Sequence, residues 1–157
     1  MSTHVLGSYP FEEQLIPGQE YSVLSLHPIW AWAVLYGGKD VDNRTGATRQ
    51  RGRVLIHASD HKAPLGEEQD MRAELSFLTG IPRAELPVTF LRGAILGSVD
   101  LVDCVREARS KWAVPHHRHW LLQAPRALAT PLTGVKGKQS PWRWRCVNHA
   151  STRVPRV

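Results

Sequence analysis

The strand-forming segments of this chain are separated by long stretches of sequence, and this spacing limits the folds open to it. The segments cover residues 21–26, 53–58, 93–105, 119–123 and 142–147, and each is rich in β-branched, aliphatic or aromatic residues. The helical segments are fewer and do not alternate regularly with the strands, as they do in a parallel α/β sheet. The pattern predicts an α+β fold with a mixed sheet.

The longest predicted strand, residues 93–105, contains a glycine among its apolar residues. Gly97 lies between Ile95 and the pair Val99 and Leu101, which share one face of the strand. A glycine inside a strand marks a bulge or a sharp bend. We therefore expect the sheet to curl, and we predict a mixed β-barrel with helices at its mouth.

Two helices are predicted to flank this barrel. The first begins at Pro28, because proline is well tolerated in the first helical turn, and it ends at Gly37. Trp30 and Trp32 lie about 200° apart around it, so we expect one ring to leave the core-facing stripe. The second helix covers residues 67–78, whose charged and aliphatic residues are typical of a surface helix.

The length of 157 residues predicts one folded domain. We divide the chain into an irregular leader (1–20), a domain (21–147) and a basic tail (148–157). No apolar stretch approaches the ~20 residues that span a bilayer, and no secretory signal pattern opens the chain. The two cysteines form no Cys-x-x-Cys pair. These features favour reduced thiols, a cytoplasmic location and no membrane partner.

Positive charge is concentrated towards the C-terminus. Residues 1–102 hold 9 Lys or Arg and 12 Asp or Glu, whereas residues 103–157 hold 11 and 2. Four of the six tryptophans also lie in 103–157, and rings beside guanidinium groups bind unpaired bases. The pattern favours a nucleic-acid partner. A basic, solubilising surface over tryptophans in the core would produce the same pattern.

Three motifs resemble those of a known family. They are SLHPIWAWA at residues 25–33, GKDVDNR at 38–44 and LIHAS at 55–59. Over about residues 21–147 the chain resembles the ASCH domain, the activating-signal-cointegrator homology branch of the PUA-like superfamily. This resemblance implies a PUA-like β-barrel, a cleft beside the first helix and the Gly-Lys motif, and binding of RNA or nucleotides. Some relatives are single-strand ribonucleases, and others remove an acyl group from a modified cytidine.

The family pattern Gly-x-Lys-x-x-(Glu or Thr)-x-Arg places its polar residues at Lys39, Asp42 and Arg44. Asp42 stands where the resemblance implies a nucleophilic threonine in the amidohydrolase branch, which disfavours N4-acylcytidine hydrolysis. In an extended segment, Asp42 and Arg44 point to one face, and Lys39 can reach them. The three side chains can therefore share a cleft. A surface salt bridge, worth about 0.3–1 kcal/mol, is the alternative interpretation.

Aromatic and basic residues supply the predicted contacts with a nucleic acid. We expect Trp30 or Trp32 to stack on a base near the cleft. Ser59 can donate a hydrogen bond to the ligand, although a turn-capping role is equally common for such a serine. The last strand should turn its tryptophans inward and its arginines outward. The predicted phosphate contacts are Lys39, Arg44, Lys136, Lys138, Arg143 and Arg145.

The favoured function is binding of RNA, another single-stranded nucleic acid or a modified nucleoside. The alternative is a hydrolase in the same cleft, metal-independent or metal-assisted, that cuts single-stranded RNA. Lys39, Asp42 and Arg44 would then be catalytic. A third interpretation is an adaptor that recruits another protein, and the sequence does not indicate which protein that would be.

The histidines require a separate interpretation. His27, His57 and His119 are, with Lys39, candidates for general acid–base roles in a hydrolase. Residues 116–119 contain three histidines, but an arginine interrupts them and no cysteine pair accompanies them. We therefore predict no metal site and no cofactor.

Overall fold

The computed structural model describes residues 12–147, and within them the chain forms seven strands, two α-helices and one 3₁₀ turn. The elements are, in chain order, β1 (Glu12–Glu13), β2 (Glu20–Leu26), α1 (Pro28–Tyr36), β3 (Val41–Arg44), β4 (Gly52–Ala58), α2 (Leu65–Thr79), the 3₁₀ turn (Arg83–Glu85), β5 (Ala94–Val105), β6 (Arg118–Thr133) and β7 (Trp142–Arg145). All five predicted strands and both predicted helices are present. The predicted tail (148–157) and residues 1–11 of the predicted leader lie outside the described residues.

The strands form one mixed sheet in the order β1-β6-β5-β4-β2-β7, with β3 paired to the other half of β6. The β2–β4 and β1–β6 pairs are parallel, and the remaining pairs are antiparallel. These pairings confirm the α+β class and the mixed sheet. Between residues 12 and 147 the sheet does not close into a ring, so the predicted barrel is not confirmed.

Gly97 lies where β5 departs from regular pairing with its neighbours. The register of β5 against β6 shifts between Ile95 and Gly97, and its register against β4 shifts at the facing position. A Cβ at residue 97 would collide with the backbone of Arg126 and Ala127 on β6. The predicted irregularity is therefore present, and it brings the backbones of β5 and β6 close together.

Strand β6 is much longer than predicted, because 119–123 was expected and the strand covers 16 residues. Prolines at positions 125 and 131 argue against a continuous strand, since proline cannot donate to the ladder. Pro125 falls in a register shift between the pairs Asp100–Gln123 and Ser98–Arg126, where no ladder bond is needed. The preceding Ala124 has a φ of 53°, which marks the distortion.

Helix α1 packs between the sheet and α2, and it is buried on several sides. Ala31, Val34 and Leu35 face the sheet, whereas Ile29 and Ala33 join a second cluster with α2. A helix that is apolar all round is typical of this position. One core-facing stripe was predicted for this helix, but α1 has two apolar faces, one against the sheet and one against α2. Neither Trp30 nor Trp32 is fully buried.

A third apolar cluster covers the other face of the sheet. Trp142 and Cys146 are buried in it, whereas Arg143 and Arg145 point to solvent, as the predicted alternation requires. This face also holds His57, which is fully buried and points away from the cluster formed by its neighbours on β4. Neither helix within residues 12–147 is long and apolar enough to cross a membrane.

Candidate functional site

A cleft of about 650 Å³ opens where the end of β2, α1, β3, α2 and the loop before β6 meet. Lys39, Asp42 and Arg44 all line it, so the structure brings the three predicted residues together. Trp30 lines it from α1, and residues 111–115 line it from the loop. The cleft therefore combines rings and charges of both signs.

The end of α1 places Lys39 in the cleft. The N–H groups of Gly37 and Lys39 both donate to the Ala33 carbonyl, at 2.8 and 3.0 Å. Gly38 has a φ of 81°, which a side-chain-bearing residue adopts only with strain. This turn reverses the chain at the end of the helix and leaves Lys39 only 8% exposed.

The Lys39 ammonium group lies between two tryptophan rings. Nζ is 5.4 Å from the centroid of Trp30 and 5.3 Å from that of Trp112, within the range of cation–π attraction. No residue between 12 and 147 forms a hydrogen bond or ion pair with Nζ. Burial lowers the pKa of Lys39, while the carboxylates of Asp42, Glu74 and Asp40 oppose that shift.

Asp42 and Arg44 form an ion pair on β3. Arg44 Nε donates to Asp42 Oδ2 at 2.8 Å, and Arg44 Nη2 donates to the Ser25 carbonyl at 3.1 Å. The guanidinium carbon also lies 5.1 Å from the centroid of Trp120. Burial raises the pKa of Asp42, although the neighbouring Arg44 and Lys39 favour its charged form. The pair is mostly buried, with 24% of the Arg44 side chain and 8% of the Asp42 side chain exposed to solvent.

The loop that carries Trp112 is anchored on the motif segment by side-chain hydrogen bonds. Asn43 Nδ2 donates to the Trp112 carbonyl at 3.0 Å, and Asn43 Oδ1 accepts from the Val114 N–H at 2.8 Å. Ser110 Oγ donates to Asp40 Oδ1 at 2.5 Å. His119 Nε2 donates to the Val114 carbonyl at 2.7 Å. Trp112 is therefore a cleft residue that the sequence interpretation missed, because its partner Asn43 is 69 positions away.

A buried hydrogen-bonded chain joins the cleft wall to the loop between β6 and β7. The Trp142 indole N–H donates to Ser25 Oγ (3.0 Å), and the Ser25 hydroxyl donates to His57 Nδ1 (2.8 Å). His57 Nε2–H then donates to the Val135 carbonyl at 2.7 Å. Gly137 packs so closely on this chain that a Cβ there would lie 2.5 Å from His57 Cε1. These contacts give His57 a positioning role outside the cleft lining.

The remaining candidates lie outside the cleft lining. Trp32 packs edge-on against Phe90, and Ser59 Oγ accepts the His61 N–H at 3.4 Å in a turn. Glu20 pairs with Arg143 at 2.9 Å and with Arg145 at 3.6 Å. Also outside the lining are Lys136 and Lys138, which are exposed on the loop before β7.

Two of the four acid–base candidates, His27 and Lys39, line the cleft, whereas His57 and His119 hold loops in place. His27 Nδ1 caps α1 by accepting the Ile29 N–H at 3.2 Å, and its Nε2 is buried with no hydrogen-bond partner among residues 12–147. In the described part of the chain, no three His, Cys, Asp or Glu side chains are grouped so as to hold a metal ion.

A model of a known protein family matches most of this chain. The ASCH domain model matches residues 24–154, which includes every residue of the cleft. The chain belongs to the ASCH domain family. This confirms the resemblance carried by the three sequence motifs.

Relatives of this ASCH domain include the human activating signal cointegrator 1, which is 34% identical over 113 residues. The mouse activating signal cointegrator 1 is 33% identical over 92 residues. These matches cover 67% and 59% of this chain. They span only 19% and 16% of the length of the two relatives.

The buried His57 imidazole predicts a pH-dependent stability. Burial lowers the pKa of His57, against smaller raising effects of the Val135 carbonyl and Asp60. Below pH ~6.5 the unfolded chain therefore gains a proton that the folded chain does not bind. We expect the free energy of unfolding to fall more steeply with decreasing pH, from about 6.5 towards the lowered pKa, than in His57→Gln. The excess slope should approach, at most, about 1.4 kcal/mol per pH unit.

Urea denaturation at a series of pH values measures both slopes. His116→Gln, at an exposed position, is the matched control, and the pH dependence of its free energy of unfolding should equal that of the unmodified protein. Equal slopes for the unmodified protein and His57→Gln would contradict a buried, neutral His57.

Proposed function

We propose that the cleft binds single-stranded nucleic acid, with RNA favoured, by taking one base or modified base beside Trp30 and Lys39. The observation that carries the proposal is Lys39, a largely buried residue whose ammonium group forms no hydrogen bond with any described residue and lies between two tryptophan rings. A cation held in this way gains a charge-assisted hydrogen bond when a phosphate oxygen or a base carbonyl enters the cleft.

The other residues of the cleft suit a base. Trp30 is half-buried, so part of its ring is available for stacking. Asp42 Oδ2 accepts a hydrogen bond from Arg44, whereas no described residue donates to Asp42 Oδ1. That oxygen can accept a base amino group. Asn43 and Ser25 are engaged in structural hydrogen bonds, so we assign recognition to Lys39 and Asp42.

A basic surface outside the cleft can contact the phosphate groups of a bound nucleic acid. Arg143 and Arg145 share Glu20 as their carboxylate partner, and more than half of each arginine side chain is exposed. Lys136 and Lys138 lie on the preceding exposed loop. Lys111 adds a cation at the edge of the cleft. We place the phosphates of a bound strand on this surface, and they would add a salt-dependent contribution to the affinity.

Membership of the ASCH family supports this proposal, because the resemblance implies RNA or nucleotide binding. We propose residues 21–147 as the binding domain, between the leader (1–20) and the basic tail (148–157). We still expect a PUA-like barrel and a cytoplasmic location.

Replacing Lys39 by methionine tests the cleft directly. Methionine keeps much of the length and removes the charge, and no buried hydrogen-bond partner is left behind. We expect the Kd for a labelled, mixed-sequence RNA ten-mer to rise about tenfold, because a hydrogen bond to a charged group is worth about 1.5–3 kcal/mol. Fluorescence anisotropy measures the Kd.

Lys62→Met is the matched control, because Lys62 is exposed and outside the cleft lining. A single-stranded DNA of the same sequence should bind more weakly than the RNA. If Lys39→Met binds RNA as tightly as Lys62→Met does, the cleft is not the binding site.

Hydrolysis of RNA in the same cleft is the second candidate function. Its support is the position of Lys39 beside Asp42 in the cleft, where burial lowers the pKa of Lys39 and so favours the uncharged amine, the form that can accept a proton. We expect a hydrolase to release fragments from labelled single-stranded RNA. Lys39→Arg should retain binding but lose cleavage, because a guanidinium group does not deprotonate. Gel electrophoresis with and without a chelator detects the fragments and any need for metal.

Intact RNA after incubation with the unmodified protein would contradict this second candidate. Cleavage that persists in Lys39→Arg would assign the activity to another site. Asp42 stands in place of the hydroxyl that an amidohydrolase of the family would use, so deacylation of a cytidine has less support.

A further inference from the structure

An aromatic ring stands exposed on α2 where this helix borders the cleft. The Phe77 side chain is 85% exposed, although it belongs to a well-formed helix of 15 residues. Glu74 and Leu78, three residues before and one residue after Phe77, line the same cleft. The cleft therefore borders one face of α2, and Phe77 is the aromatic side chain on that face.

Folding does not require Phe77 at this position. Helix α2 packs through Leu75, which is fully buried, and through the partly buried Met71 and Leu78. Phe77 belongs to none of the three apolar clusters formed by the described residues. A single exposed ring is common on protein surfaces. Phe77, however, lines a cleft that contains lysines without an ion-pair partner among the described residues. This position needs a functional explanation.

The charges of the cleft indicate what covers the ring. Lys39 and Lys111 bring positive charge, and neither forms an ion pair with another described residue. The negative charge of Asp42 is matched by Arg44, which leaves Glu74 as an acidic group at the edge. Aromatic rings beside cations are the combination with which proteins bind single strands through stacked bases and phosphates. An uncharged peptide would leave the lysines uncompensated.

We propose that Phe77 stacks on a second base, next to the base held at Trp30 and Lys39, so that the cleft binds at least two successive nucleotides. This inference rests on the proposed function, since it assigns an outer position of the same site. It implies that the protein binds an oligonucleotide more tightly than the corresponding mononucleotide. It also implies that the outer position tolerates any base, because every base has a face that can stack.

Phe77→Ala separates the outer position from the inner one. We expect its Kd for a mixed-sequence RNA ten-mer to rise about tenfold, the low part of the range that stacking on an aromatic ring covers. The inhibition constants of the four mononucleotides, measured as competitors of the ten-mer, should stay within about twofold of the unmodified values. Phe77→Trp should restore the affinity for the ten-mer. Because the ring is exposed, both variants should melt at the temperature of the unmodified protein.

Val88→Ala is the matched control, since Val88 is 89% exposed and outside the cleft lining. If Phe77→Ala binds the ten-mer as tightly as Val88→Ala does, the inference fails while the proposed function stands, and the ring belongs to another surface. If Phe77→Ala weakens ten-mer and mononucleotides equally, the separate outer position is wrong. If the unmodified protein binds no RNA, the proposed function fails and the inference with it.

Discussion

The desolvation of one ammonium group is the constraint around which this site is built. Moving a charged side chain out of water costs several kcal/mol unless the surroundings compensate it. Around Lys39 the compensation comes from two tryptophan rings and from neighbouring carboxylates. Two of these carboxylates, Asp42 and Glu74, line the cleft themselves. These rings and carboxylates offset part of the cost of burying the charge. None of the described residues forms a hydrogen bond with the Lys39 ammonium group, so it remains available to a ligand.

Much of the surrounding structure serves to hold these compensating groups in place. Trp112 comes from a loop with no regular secondary structure, and Asn43, Ser110 and His119 fix that loop by hydrogen bonds. Arg44 is fixed by Asp42 and by the carbonyl of Ser25 at the end of β2. The residues between the charged positions of the motif therefore have a function of their own. They position the tryptophan that completes the aromatic pair.

Local patterns predicted the parts of the fold that depend on local chemistry. Pro28 and Gly37 marked the ends of α1, the alternation in residues 142–147 oriented β7, and Gly97 marked the irregularity in β5. The meeting of Lys39, Asp42 and Arg44 was predicted because only five positions separate the first from the last. In contrast, β3 was not among the predicted strands, since three of its four residues are polar or charged and the segment forms a strand only by pairing with the distant β6.

The missed cleft residues have the same physical explanation. Trp112 and Phe77 are brought to the cleft by packing and by hydrogen bonds between segments far apart in sequence. The basic stretch around Trp112 and the surface-helix pattern around Phe77 are local signals, but neither shows that the ring reaches the cleft. Conversely, Trp32 carries the same local signal as Trp30, and the structure packs it against Phe90. Its predicted role as a stacking residue stays a prediction.

The six tryptophans allow the central claim to be tested by one measurement, a ¹H–¹⁵N NMR titration of the indole groups with single-stranded RNA. Each signal is assigned from the corresponding Trp→Phe variant. If a nucleic acid enters the cleft beside Lys39, the indole signals of Trp30 and Trp112 shift with increasing RNA, whereas that of Trp32, which packs against Phe90 outside the cleft lining, stays in place. Shifts confined to Trp144, or unchanged signals for Trp30 and Trp112 in the presence of bound RNA, would contradict the claim.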